Sequence, residues 1–265
     1  MSVTESLTTF GRQLSVGGGG VRRGGNGRGR GGGLGGGNNP GLGGGARGPV
    51  LVGVGTLNAS QNAYTVSFPA GYQAGDLALL VVAGVSFGAN MPTGFTTLLF
   101  AEQTSAFGAS IFHYKVGWRL ATASEPDVTL TPGGGGSLSG IIVVRGINPI
   151  TPLDTFTAAN LGAISSTPFI DVTTTVPDAF VISMLVNGAD LASTTYYSNL
   201  NSVTTNLDAI DFRAQLASAA SGGITLALLG GRKSSAGLAP QSSSVTLGTA
   251  DAGGVGRCSF SLRPA

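Results

Sequence analysis

Residues able to do acid–base, nucleophilic or metal chemistry are few and scattered in this chain. His113 is the single histidine and Cys258 the single cysteine. That excludes a histidine-rich metal site, a cysteine zinc cluster and an internal disulfide. A Ser-His-Asp hydrolase would have to use His113, and no G-x-S-x-G nucleophile elbow is expected. The strand pattern puts His113 on one face with Ile111 and Lys115, away from Phe112 and Tyr114, as a partly exposed surface histidine. Glu125 and Asp127 stand two apart and could face one cleft as a glycosidase pair does. Pro126 between them and the turn setting favour a structural role. Asp208 and Asp211, with Asp190, could ligate calcium, but their spacing is not that of an EF-hand loop, and they read as solvated turn formers. No catalytic residue, metal or cofactor is assigned, and the chain reads as non-enzymatic.

Binding chemistry is better represented. Trp118 beside Arg119 has the make-up of a sugar-stacking platform, though its place at a strand end favours the core. Tyr196 and Tyr197, set among Ser, Thr and Asn, are the better candidates for contact with a host surface. Residues 17–48 are a glycine- and arginine-rich tract with Arg-Gly-Gly and Gly-Arg-Gly-Arg strings. Segments of that kind which bind single-stranded nucleic acid interleave aromatic residues for stacking, and this tract has none. Nucleic acid is therefore not the expected partner. Val3, Leu7, Phe10 and Leu14 recur at spacings of one helical face, so residues 1–16 read as a short docking peptide, with a disordered start as the alternative. With Arg22, Arg23, Arg28 and Arg30 they form the candidate attachment site, arginine giving bidentate contacts to carboxylates of a partner.

Charge is divided along the chain. Residues 1–49 hold six arginines against one acid, Glu5, a formal charge of +5. The remainder holds eight basic and eleven acidic residues, a charge of −3. A basic arm joined to a mildly acidic body implies a macromolecular partner for the arm. The tract at 17–48 lacks the apolar residues that offset ordering entropy. As a coil it spans about 30 Å, and stretched it reaches on the order of 100 Å. The N-terminus has no secretory h-region, and no apolar run reaches membrane-spanning length, so membrane insertion is not expected.

From Val50 onward the texture is that of strands. Tyr64–Phe68 alternates; Leu77–Val85 and Gly140–Val144 are continuous apolar runs, as expected of strands covered on both faces. Ile111–Val116, Asp127–Thr131 and Ile224–Leu229 follow the same pattern. Phe169–Val176 and Phe180–Val186, joined by Pro177-Asp178, read as a hairpin. In Arg257–Arg263, Cys258, Phe260 and Leu262 alternate with polar residues. Strands at this spacing without long helices predict an all-β fold, an antiparallel β-sandwich or jelly-roll-like domain over residues 49–265. No repeat with a period of 20–50 residues is evident.

One set of motifs resembles a known family. Ala74-Gly-Asp-Leu77 opening an apolar strand, Pro92-Thr-Gly-Phe95, Ser124-Glu-Pro126 before Val128-Thr-Leu130, Arg145-Gly-Ile147 and Pro152-Leu-Asp154 are similar, in that order, to a β-sandwich domain of phage tail and appendage proteins, also found in some bacterial surface proteins. Cys258-Ser-Phe-Ser-Leu-Arg-Pro264 fits its last strand. Phe95 stands where that pattern more usually has Trp, and the arm lies outside it. The resemblance implies a virion structural protein: a tail, fibre, baseplate, collar or capsid-decoration component. The expected partners are other virion proteins and further copies of the chain, with a host receptor or glycan as the alternative. A bacterial surface protein is the remaining alternative.

Overall fold

The computed structural model describes residues 48–85, 91–104, 111–132, 137–162, 164–188, 196–217, 224–247 and 254–265. Val3, Leu7, Phe10, Leu14, Arg22, Arg23, Arg28 and Arg30 lie outside these residues. The body is antiparallel β throughout, with no α-helix among the described residues. Its first half contains β1 (Val50–Val54), β2 (Asn58–Ser60), β3 (Tyr64–Val66), β4 (Leu77–Val85), β5 (Thr96–Thr104), β6 (Ile111–Leu120), β7 (Val128–Leu130) and β8 (Ser137–Arg145). Its second half contains β9 (Leu153–Leu161), β10 (Ser166–Thr167), β11 (Val172–Thr174), β12 (Ala179–Gly188), β13 (Ala209–Ala217), β14 (Ile224–Lys233), β15 (Gly237–Ala239), β16 (Val245–Thr246) and β17 (Val255–Leu262).

Two large sheets face each other. The first runs β1-β8-β4-β6-β5, with β2 also paired to β8; the second runs β9-β17-β12-β14-β13. Leu77, Leu79, Val81, Tyr114, Val116, Ile142 and Val144 of one sheet meet Phe180, Ile182, Met184, Leu226, Leu228, Phe260 and Leu262 of the other in a common core. Each such side chain, fully buried, contributes about 1.5–3 kcal/mol. The ion pairs at the sheet corners, Asp76–Arg145 and Glu125–Arg119, are few beside these side chains, so the layered core dominates.

The two halves repeat one plan. In each sheet the first strand of a consecutive four lies centrally (β4, β12), the second at an edge (β5, β13), the third between them (β6, β14) and the fourth on the first strand's other side (β8, β17). Each is completed by the strand that opens its half (β1, β9). The irregularities repeat as well. An extra residue falls at Leu98 of β5 and at Asp211 of β13, and another at Val52 of β1 and at Asp154 of β9. β5 lies against β9 and β17, and β2 against β13, which is an approximate two-fold along the strands. Tyr114 Oη, near the start of β6, donates to Arg257 O near the start of β17 (3.2 Å), so both sheets begin these strands at the same end. Each half forms its own sheet, so the chain follows a sandwich path and does not alternate between sheets as the jelly-roll alternative would.

Both outer faces are also covered, which is why the central strands read as unbroken apolar runs. The pair β3-β7 covers the first sheet, and the pairs β11-β15 and β10-β16 cover the second. β11 therefore pairs with β15 and not with β12. The hairpin expected around Pro177-Asp178 is instead a corner between layers, with Asp178 at a φ of 55°. Crossovers add to the cover. β4 and β5 are both antiparallel to β6 and so run parallel to each other, and their link must cross β6. It does so at Gly117, where an added Cβ would meet Met91 Sδ at 2.9 Å and Phe95 Cβ at 3.2 Å.

Candidate functional site

The densest group of chemically capable side chains lies beneath the β3-β7 cover, on the outer face of the first sheet. Register places Ser137, Gly84 and His113 in one row across β8, β4 and β6, and Ser139, Val82 and Lys115 in the next. Tyr64 reaches down from β3: its Oη lies 2.8 Å from Ser137 Oγ and accepts a bond from Ser139 Oγ at 2.9 Å. The phenol is buried, and burial, opposed in part by the two serines, pushes its pKa up. It stays protonated and serves as a donor rather than a base. Lys115 is 3% exposed and His113 half-buried. The surface face expected for Ile111, His113 and Lys115 is thus an interior one at Lys115. Glu102 stands opposite His113 in the β5-β6 ladder.

The string Gly84-Val85-Ser86-Phe87-Gly88 at the end of β4 has the G-x-S-x-G spacing, which corrects the expectation that the motif is absent. A nucleophile elbow needs a strand-to-helix turn. Pro92–Phe95 leads into β5, and residues 86–90 between β4 and that turn lie outside the described residues. Ser86 lies outside the described residues.

The second half puts another polar cluster at the corresponding place. Asn187 and Thr225 occupy the positions of Gly84 and His113 in the repeated plan. Asn187 Nδ2 donates to Tyr196 Oη at 2.7 Å; Tyr197 Oη lies 3.1 Å from Thr225 Oγ1 and donates to Leu185 O at 3.3 Å. Tyr197 N donates to Gln215 Oε1 at 3.0 Å. Tyr196 and Tyr197 are 2% and 1% exposed and pack edge to face with ring centroids 5.0 Å apart. That corrects the expectation of a tyrosine pair offered to a host surface. Both belong to the β12–β13 link, which must cross the second sheet as the β4–β5 link crosses the first, and they are buried as it does so. Asn187 Oδ1 has no hydrogen-bond partner among the described residues.

The motifs that carry the family resemblance meet as clamps at the other end of the first sheet. Asp76 accepts from Arg145 Nε and Nη2, both at 2.8 Å, and from Gln73 N at 2.8 Å. Burial raises the carboxyl's pKa, but these bonds and the guanidinium charge outweigh it and the net shift is downward. Arg119 pairs with Glu125 and lies over the rings of Phe95 and Phe68, at 4.6 and 5.2 Å. Glu125 also accepts from Thr122 N at 2.6 Å, and its own N–H donates to Tyr72 Oη at 2.6 Å. The carboxylate is engaged as a strut by Arg119 and Thr122, and Asp127 is exposed. Trp118 packs partly buried against the core.

Asp208 accepts from Ser234 N, which holds its pKa down; Asp190 lies outside the described residues. No group of three His, Cys, Asp or Glu side chains fit to hold a metal occurs among the described residues. Cys258 sits in the common core, where burial pushes its thiol up to about 12. No family model, no curated protein and no solved structure matches the chain.

Proposed function

We propose that this is a non-enzymatic structural protein of a bacteriophage particle, anchored through its N-terminal arm. The observation that carries the reading is the polarity of the body. The chain enters it at Gly48, beside Asp178, at the end where β6, β8, β12 and β14 meet their Asp76, Arg145, Asp178 and Lys233 corners. The strand ends at Val85, Thr104, Ile111 and Ser137, and at Gly188, Ala217, Ile224 and Val255, gather at the opposite end. A chain entry at one end and strand ends gathered at the other suit a component attached at its base and presenting its far end. The +5 charge of the arm against the −3 of the body, and the use of the resemblance motifs as structural corners, support it further. The same polarity favours host-surface binding at the far end as the second reading.

Reversing Arg22, Arg23, Arg28 and Arg30 to Glu tests the anchoring. Incorporation into particles is expected to fall, and the wild-type chain is expected to be released more readily as salt rises. Normal incorporation of the reversed chain would remove the arginines from the attachment. For the second reading, glycan or cell-surface binding lost on altering far-end residues would support it, and binding indifferent to them would refute it.

A further inference from the structure

Three long edges of the sandwich are interrupted and one is not. β5 has its extra residue at Leu98, β13 at Asp211 with Arg213 close behind, and β1 is short with its own at Val52. In β9 the extra residue is Asp154, at the very start. From Thr155 to Leu161 β9 keeps unbroken register with β17 and contains no charge, proline or glycine. Its other side pairs with no strand among the described residues. An edge of this kind is a template for a further strand, which most proteins block with charge, bulges or proline.

The side chains agree. Phe156, Ala158 and Asn160 share the face of Phe260, Cys258 and Gly256, which points between the sheets. Yet all three are exposed, Phe156 by 54%. At the opposite seam Leu51, Val54, Leu57 and Ala59 meet Phe212, Ala214 and Leu216 against the core. There Leu57 lies over Gly140 and Phe212 over Gly230, contacts that an added Cβ would occupy. In the second half β10, which follows β9, pairs with β16 instead of returning to this seam.

We propose that β9 pairs antiparallel with β9 of a second copy across a two-fold axis near Ala158, joining the two second sheets into one. Charge selects this occupant. A two-fold sets a strand against itself, so any charge within it meets its own kind. β5 carries Glu102, and β13 carries Asp211 and Arg213, whereas Thr155–Leu161 has nothing to repel. An edge pair with one aromatic side chain buries less than the roughly 800 Å² per partner of a standard interface, so the dimer is weak and concentration-dependent.

Sedimentation velocity of the full chain across the micromolar range tests this. The wild type is expected to show a reversible monomer–dimer equilibrium, and Ala158→Lys to weaken it by about tenfold or more. An equimolar mixture of Ala158→Lys and Ala158→Glu chains is expected to restore pairing. Ile150→Lys, at an exposed site in the β8–β9 link outside the paired Thr155–Leu161, is expected to leave association unchanged. Phe156→Ser serves as the second variant if Ala158→Lys perturbs folding by circular dichroism. A wild type that stays monomeric, or association that survives both β9 variants, overturns the proposal. Association abolished by removing residues 1–47 while indifferent to β9 would assign it to the arm. None of these outcomes depends on the anchoring function.

Discussion

Asp76→Ala is expected to destabilise the body by about 2 kcal/mol. The carboxylate is buried and accepts two bonds from Arg145 and one from Gln73. Bonds to a charged group contribute about 1.5–3 kcal/mol each. The Arg145 side chain is 43% exposed, however, and regains water when its partner is removed. The loss is therefore smaller than the roughly 3–5 kcal/mol of a buried pair broken on one side, and solvent screening reduces it further. Acid should erase the difference. Asp76 titrates lower in the folded chain than its unfolded value of about 3.9, so its stabilisation is fully present above that pH. It is lost as pH falls through the lower, folded pKa. Urea unfolding of both chains at neutral pH and near pH 2–3 measures this. The reasoning fails if the variant matches wild type at neutral pH, or if a gap present there persists unchanged in acid.

Further outcomes follow from the packing and the sites. Gly230→Val places a side chain where Phe212 Cε1 lies 2.2 Å from the added Cβ; a loss of about 1–3 kcal/mol in chemical denaturation is expected. Cys258 should resist thiol reagents at pH 8 in the folded chain and react on unfolding, because its thiol is buried with a pKa of about 12. Ester, peptide and polysaccharide substrates should give no turnover; turnover abolished by Ser86→Ala or His113→Ala would contradict the non-enzymatic reading.

The strands were legible because burial on both faces leaves an unmistakable trace: Leu77–Val85 became β4 with those bounds. Alternation placed Cys258, Phe260 and Leu262 in the core correctly. What escaped was the cover. Nothing local distinguishes a polar residue facing water from one facing a second layer, so Lys115 reads as surface and Tyr196-Tyr197 as loop residues offered to a host surface. Pro177-Asp178 carries the turn chemistry of a hairpin, yet whether a turn joins neighbours or layers is decided by distant strands such as β15. The repeated plan of the two halves is held by strand order and bulge position, neither of which needs matching residues. Glu125 could be assigned a structural role from Pro126 and the turn setting, while its partners Arg119, Tyr72 and Thr122 required the fold.

The anchoring claim is tested most directly by the occupancy of purified particles, measured by quantitative mass spectrometry for the full chain and for a chain lacking residues 1–47. The account predicts that the truncated body folds, giving the β spectrum of the intact protein, but is absent or strongly depleted from particles. A truncated body at full occupancy would contradict it and place the attachment on the sandwich itself.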